Sequence, residues 1–394
     1  MRNIALCMEL SDFYEHGIAR GVVRYAKAKP DWRIYGYGWM FRPLPDIALW
    51  KGDGVIARVE DSAAADRLAA LGAPVVDVAG AYARPNFTSV TNDDRLTGER
   101  AASHLLGCGF RRFAFLGVAG TRWSEERRAG FEAALEDQRR ALARRPPAFE
   151  RSLAWWERGI GAKGANTGAL ASFLSGLELP AALFACNDTT GLRATELAGR
   201  LGIAVPESLA ILGVDNEDIL CELSSPSLSS IQLDCEAIGF QAAETLDAML
   251  GGTRRDGARR KAAARGSLVT LPPKEVIERE STRVFACEDK LVAAAVSFIR
   301  THAHEGIGVS DILAVATASR RSLEKRFRSA MGHSIHDEIL AAKLRRARRL
   351  LRETSFTLDR VAEESGFGAL QRFHAAFKKA EGQTPGGWRR KNGA

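Results

Sequence analysis

Side chains able to hydrogen-bond and to stack gather at five places in the first 220 or so residues of this 394-residue chain. They are Asp12, Phe13 and Tyr14; Asn92, Asp93 and Asp94; Trp123 and Arg127; Asn187 and Asp188; and Asp215 and Asn216. Carboxylates and an arginine hydrogen-bond vicinal hydroxyls, while an aromatic face packs on the C–H side of a sugar ring. The mixture suits a polyhydroxylated, uncharged ligand. Each residue also has a plainer reading. Asn and Asp are ordinary turn formers and helix N-caps, so Asp188 ahead of Thr189 and Thr190 can cap a helix, and Trp123 and Tyr14 can be core or interface aromatics. Convergence of the five groups on one cavity is what separates the two readings.

Catalytic arrangements are missing from the sequence. It contains no G-x-S-x-G, H-E-x-x-H or G-x-x-x-x-G-K-[ST] motif. The nearest phosphate-loop lookalikes are 117–120 and the glycine-rich 159–168, and His16 and His104 are the only histidines before residue 288. Binding is expected, not turnover, with no metal and no cofactor.

A second set of chemistry-bearing residues lies near the C-terminal end. Residues 319–328 line up with 369–378 at an offset of 50, pairing Leu323 and Phe327 with Phe373 and Phe377. At about 100° per residue the apolar pair defines an inward face. Arg321 and Lys325 then point outward, with Arg328 near them and Glu324 on the flank; in the second unit Gln371, Ala375 and Lys378 face out beside His374. Arg, Lys and Gln near a helix N-terminus can reach guanine and adenine edges in a major groove, whereas Arg328 and Lys378, farther along, suit phosphates. With the adjoining Arg320 and Arg372, the DNA-facing set is Arg320, Arg321, Glu324, Lys325 and Arg328, then Gln371, Arg372, His374 and Lys378. Each segment follows a short apolar helix, 309–316 or 357–364, and a tight turn, which is the helix-turn-helix pattern. The helix expected between them, 335–352, is about 27 Å long at about 1.5 Å per residue. With its end turns it can join recognition helices roughly 34 Å apart in successive major grooves. The alternative is a basic helical bundle that binds no DNA.

The elements that position the first set follow from the hydrophobic period. Strand-like runs at 4–8, 34–39, 54–59, 74–78, 113–117, 182–185 and 209–214 alternate with helical spacing over 15–28, 61–71, 96–107, 125–143, 166–176, 189–201 and 235–250. Repeated β-α-β units argue for parallel sheets covered by helices on both faces, here as two lobes of about six strands each. In such folds ligands sit beyond the carboxyl ends of strands, where the five groups fall. The expected architecture is a two-lobed α/β domain (1–281), a linker (282–287) and an all-α domain with two helix-turn-helix units (288–394).

Composition agrees. With 46% hydrophobic and 26% charged residues the chain reads as soluble and globular, not disordered, collagen-like or coiled coil. Apolar runs are far shorter than the roughly 18–20 residues that span a bilayer, and the first residues, with Arg2, Glu9, Asp12 and Glu15, show no apolar run of signal-peptide length, so export is not expected. Six scattered cysteines without a C-x-x-C pair suit free thiols in a reducing cytoplasm. The net charge of +8 lies entirely in residues 288–394, which hold 20 Lys/Arg against 12 Asp/Glu. A neutral body with a basic tail points to a polyanion partner, nucleic acid above all. The basic segment 254–265 reads as an exposed loop that could also touch DNA.

Several stretches of the tail resemble the AraC-type DNA-binding domain: 319–327, Ala347 to Leu351, Val361 to Phe367, Phe373 to Lys378, and Gly382-Gln383-Thr384-Pro385. The body resembles the LacI/periplasmic-binding-protein type of sugar domain without its usual N-terminal helix-turn-helix, through Gly52 to Ala57, Arg127 to Phe131, Ala185 to Asp188 and Gly213 to Glu217. The combination is similar to bacterial xylose-operon regulators across essentially the whole chain, including Trp123 with Glu126 and Arg127, and Val276 to Arg279. The resemblance implies that Asp93, Arg127, Asp188 and Asp215 hydrogen-bond a sugar, with Asn187 beside them, and that Trp123 and Tyr14 pack against it. It also places Arg321, Glu324, Lys325, Gln371 and His374 at base-reading positions. Two departures stand out: Ala375 occupies a position where some relatives carry a base-reading Arg, and Arg58 replaces an acidic residue of the xylose regulators.

The expectation is a cytoplasmic, sugar-responsive transcription regulator, not an enzyme. It would activate a sugar-catabolism operon with xylose or a related monosaccharide as effector, binding promoter DNA as a homodimer, with RNA polymerase a possible further partner and no membrane. The alternatives are a repressor responding to a non-sugar small molecule and a sugar- or nucleotide-modifying enzyme.

Overall fold

A computed structural model describes all residues except 39–43, 82–86, 119, 142–147, 150–152, 155–166, 252–265, 285–288, 317 and 393–394. The basic segment 254–265, most of the glycine-rich run 159–168 and Cys287 lie outside the described residues. The chain divides into two compact units, Met1–Arg283 and Val284–Ala394.

In the first unit the strands are β1 (Arg2–Cys7), β2 (Trp32–Tyr37), β3 (Gly54–Ala57), β4 (Val75–Asp77), β5 (Thr88–Asn92) and β6 (Arg112–Gly117). They continue with β7 (Ala148–Phe149), β8 (Leu153–Ala154), β9 (Ala181–Ala185), β10 (Leu209–Asp215), β11 (Ser229–Gln232), β12 (Leu268–Leu271) and β13 (Val276–Ile277). The helices are α1 (Phe13–Lys27), α2 (Ser62–Ala70), α3 (Asp94–Gly107), α4 (Arg122–Ala141), α5 (Thr167–Ser175), α6 (Asp188–Arg200), α7 (Asp218–Leu223) and α8 (Cys235–Leu250).

Two sheets result, one per lobe. The first runs β12-β5-β4-β3-β1-β2, with every pairing parallel. The second runs β13-β11-β10-β9-β6-β7, with β8 also on β6 and β13 antiparallel to β11. Central strands are apolar on both faces because helices cover both: Ile4, Val55, Ile56, Leu209, Ile211 and Val214 are fully buried. The chain passes from one sheet to the other after β5, returns after β11 to place α8 against α1, and crosses again between β12 and β13. The three crossing segments are hydrogen-bonded side by side. Asp93 N–H donates to Leu271 O (2.7 Å), Lys274 N–H to Gln232 O (2.8 Å) and Gln232 N–H to Glu275 O (3.1 Å).

The second unit is helical throughout its described residues: Lys290–His302, Val309–Ala316, Arg320–Met331, Ile335–Glu353, Leu358–Glu364, Leu370–Glu381 and Pro385–Asn392. It holds two cores. Val296, Ile299, Ile312, Leu323 and Phe327 form one; Leu351, Val361, Phe373, Phe377 and Trp388 form the other. The Ile335–Glu353 helix belongs to both, giving Ile335 and Ile339 to the first and Leu344 and Ala347 to the second. Its 19 residues make a rod of about 28 Å at about 1.5 Å per residue. Arg320–Met331 and Leu370–Glu381 are both 12 residues long and start 50 positions apart, so the repeat in the sequence is a repeat in structure. Gly366 in the second turn has φ 77°, and a Cβ there would meet Ala303 O at 2.3 Å, so only glycine fits. No helix among the described residues is long and apolar enough to cross a membrane.

Candidate ligand cleft and nucleic-acid interface

Arg127 is the centre of the cleft. Only 5% exposed, it lies on the second turn of α4, whose start is held by Val118 N–H donating to Ser124 Oγ (2.9 Å) and by Thr121 Oγ1 donating to Val118 O (3.0 Å). Its Nε donates to Asp94 Oδ1 (2.8 Å), its Nη1 donates to Cys186 O (2.5 Å), and Asp215 Oδ1 is 3.8 Å away. The guanidinium carbon stands 5.0 Å from the Trp123 ring centre, within cation–π range. Helices α3 and α4 approach closely enough for this because both contact points are glycine. A Cβ on Gly98 would lie 2.0 Å from Arg127 O, and one on Gly130 would lie 1.9 Å from Arg95 O. Burial opposes the Arg127 charge, but Asp94 and Asp215 more than offset it, and the net shift of its pKa is upward.

Two further strand ends reach this centre. Asp215 and Asn216, closing β10, have φ 104° and 54°, a left-handed backbone that costs non-glycine residues energy and tends to persist at functional sites. Burial pushes the Asp215 carboxyl well above its ordinary value; Arg127 opposes this, and Asp188, Asp12 and Asp94 add to it. From the first lobe comes Tyr14, whose hydroxyl donates to Val78 O (2.7 Å). Burial raises the Tyr14 pKa, and Asp94 is among the charges acting on it. Asp12 likewise acts on Asp215 and on Glu217. Trp123, Arg127 and Asp215, which the sequence places far apart, therefore meet at one centre, and Tyr14 of the first lobe feels the charge of Asp94 at that centre. Asn92 Oδ1 and Asn216 Oδ1 are buried acceptors with no hydrogen-bond partner among the described residues.

Other expected ligand contacts are committed within their own lobes. Asn187 caps α6, its Oδ1 accepting Thr190 N–H (2.9 Å) in a reciprocal capping box. Asp188, 1% exposed, accepts from Ser230 Oγ (2.6 Å) and from Glu217 N–H (2.8 Å), so both its oxygens tie β11 and the start of α7 to α6. Burial lifts its pKa to about 7. Asp93 Oδ1 caps α3 through Leu96 N–H (2.9 Å), and the neighbouring Asp94 is the carboxylate that meets Arg127. A capping rule could have separated the two. Asp93, with its non-helical backbone, is the N-cap, which leaves Asp94 in the first turn to meet Arg127.

In the second unit, Arg320, Arg321, Glu324, Lys325 and Arg328 are all exposed, as are Gln371, Arg372 and Lys378. Arg320 Nε donates to Glu324 Oε1 (2.9 Å), one turn along the same helix. His374 is more withdrawn: it is half-buried against Phe373, ring centres 6.0 Å apart, and its Nε2 is buried without a partner among the described residues. Lys343, on the Ile335–Glu353 helix shared by the two cores of this unit, comes near Arg372; burial and that arginine lower its pKa. Five of the six cysteines are described, and all five are buried free thiols. No cluster among the described residues is suited to hold a metal ion.

Three domain families match this chain: a XylR N-terminal domain over residues 3–92, a periplasmic binding protein-like domain over 102–282 and a helix-turn-helix domain over 312–391. The xylose operon regulatory protein of Escherichia coli (strain K12) is 32% identical over 391 residues, spanning 97% of this chain and 95% of that protein. The chain belongs to the xylose operon regulator family. The Haemophilus influenzae xylose operon regulatory protein is 29% identical over 390 residues, 97% of this chain and 96% of its own. A solved structure of a xylose-binding transcription activator matches with a TM-score of 0.60 at 31% identity, covering all of this chain and 99% of that one. As a xylose operon-type regulator the protein is a DNA-binding transcription regulator with a sugar-domain-like body and a helix-turn-helix tail. Asn92 and Asp94 stand in one of the five groups read from the sequence, but the family resemblance singles out Asp93 there, beside Tyr14, Trp123, Arg127, Asp188 and Asp215.

Proposed function

We propose that the cleft binds a neutral monosaccharide, xylose or a related aldopentose, and that the bound sugar promotes activation of a sugar-catabolism operon by a cytoplasmic homodimer. The observation that carries this is the charge state of the two arginines. Arg127 is compensated by Asp94 and Asp215, and Arg58 by Asp12, Glu15 and Glu60. Neither guanidinium lacks a counter-ion, and acidic groups exceed basic ones around the cleft, so an anionic sugar acid or phosphate is disfavoured. A polyol has donors for Asp94, Asp215 and the orphaned Asn92 and Asn216 oxygens, acceptors for the arginines, and C–H faces for Trp123 and Tyr14. Asp93, Asn187 and Asp188 support the site from behind in this reading.

On the DNA side, Arg321 and Lys325 of the first recognition helix and Gln371 of the second read bases, while Arg328 and Lys378 hold phosphates, in two successive major grooves. Glu324, with Arg320 beside it, and His374, with Arg372 beside it, flank those contacts. RNA polymerase is the partner an activator would recruit. Calorimetry with a panel of pentoses, hexoses and purines tests the effector. Arg127→Ala is expected to abolish sugar binding while full-length protein still retards promoter DNA; unchanged sugar affinity would overturn the pocket assignment.

A further inference from the structure

Helix α7 joins the cleft to the last residues of the first unit, and little apolar packing holds it. It has six residues, of which Cys221 alone is buried, while Ile219 and Leu223 are largely exposed. Its N-cap, Glu217, makes no side-chain capping bond. A helix this short does not persist without tertiary contacts, and those it has are polar. At its start Glu217 N–H donates to Asp188 Oδ2 (2.8 Å), two residues beyond the cleft carboxylate Asp215. Along its length it is held by Arg279, which follows β13 and is only 12% exposed. Arg279 Nε donates to Glu222 Oε1 (3.0 Å), Nη2 to Asp218 Oδ1 (3.5 Å) and Nη1 to Leu228 O (3.0 Å). One guanidinium thus spans most of α7 through two carboxylates that are themselves exposed. Its charge also acts on Asp188.

The backbone of Arg279 belongs to the segment that carries the chain out of this unit. Arg279 N–H donates to Ser229 Oγ (2.8 Å), which in turn donates to Arg279 O (3.1 Å). Beyond it Ser281 and Thr282 are fully buried: Ser281 Oγ donates to Ile211 O of β10 (2.6 Å), and Thr282 Oγ1 to Ser229 Oγ (2.7 Å). The unit ends at Arg283, and the helix-turn-helix unit begins with Val284. At the other end of α7 lies the left-handed Asp215–Asn216 turn, a strained backbone next to a cleft carboxylate. A weakly packed helix is therefore fixed between the cleft and the exit segment by polar contacts alone, and such elements are the ones that shift at small cost.

We propose that Arg279 is the positioning residue that couples the cleft to the DNA-binding unit. Sugar contact at Asp215 shifts the turn before α7, and Arg279, gripping α7, carries the shift into the segment that enters the tail. This rests on the sugar-binding reading of the cleft. The test is the coupling factor, the ratio of promoter-DNA affinities with and without saturating sugar. It is measured on full-length protein at one salt concentration, with whichever of D-xylose, L-arabinose and D-ribose calorimetry shows to bind most tightly. Because the factor is a ratio within one variant, changes in stability or overall charge cancel, and a merely structural role leaves it unmoved. The double variant Asp218→Asn/Glu222→Gln removes two exposed carboxylates and leaves the buried network and the cleft intact. Its factor is expected to fall about threefold or more toward one, with sugar affinity within about twofold of wild type. Arg279→Gln is expected to lower the factor in the same way. A wild-type factor in the double variant would overturn the proposal and leave the sugar reading intact, as would a wild-type protein that binds a pentose without changing its DNA affinity. A wild-type protein that binds none of the three pentoses would overturn both.

Discussion

Asp188 shows what a single buried carboxylate contributes to this sensor. With its pKa lifted by burial to about 7, it holds a proton in the folded state over a pH range in which the unfolded chain, at its ordinary carboxylate value, does not. Unfolding between about pH 4 and 7 therefore releases a proton, so stability falls as pH rises through that window and levels off above it. Asp77, lifted by burial to about 6, acts with the same sign. Carboxylates shifted the other way, Asp247, Asp289 and Asp337, lie below their ordinary value and do not titrate in this window. The melting temperature of the first unit is expected to rise when pH drops from 7.5 to 5. Asp188→Asn should flatten that dependence, because an amide can accept Glu217 N–H and donate to Ser230 Oγ as a protonated acid would. A variant that keeps the full wild-type slope would show that Asp188 is ionised throughout.

Among the elements, the pairing of α3 with α4 sets the geometry of the whole site, since it brings Asp94 to Arg127. Gly98→Ala puts a methyl group 2.0 Å from a backbone oxygen that no side-chain rotation can move. Overpacking of this kind costs about 1–3 kcal/mol. The expected result is a lower denaturation midpoint together with weaker sugar binding, while Gly107→Ala, whose Cβ would meet nothing among the described residues within 4 Å beyond its own stretch of helix, leaves sugar binding unchanged. Equal affinities in both variants would separate helix spacing from recognition. The helices and the central strands were legible because their apolar period is long and regular. Strands β5 and β11 were not, because Thr88, Thr91, Ser229 and Ser230 read as polar loop yet are buried. Their hydroxyls find buried partners, as when Arg279 N–H donates to Ser229 Oγ (2.8 Å) and Ser230 Oγ donates to Asp188 at the start of α6. The same limit hid the carboxylate set around Arg58: it joins residues 12, 15, 58 and 60 through a fold, and no spacing along the chain announces it.

For the whole molecule, charge separates two tasks that ligand coupling must join. The entire excess of +8 lies in residues 288–394, so the salt dependence of DNA binding belongs to the tail; each phosphate neutralised contributes about −0.9 to the slope of log affinity against log salt. Sugar bound in the cleft can alter DNA affinity only through a difference in its own affinity for the DNA-competent and incompetent forms. That coupling is reciprocal: if saturating sugar tightens operator binding by some factor, saturating operator must tighten sugar binding by the same factor. The prediction is measured by titrating sugar with and without operator DNA, and operator with and without sugar, at one fixed salt concentration. Arg127→Ala should set both factors to one and leave the salt slope where it was, since none of the phosphate-binding cations has been touched. A slope that changes with Arg127→Ala would mean that the body itself supplies charge to the DNA complex, against its balance of 36 basic and 36 acidic residues.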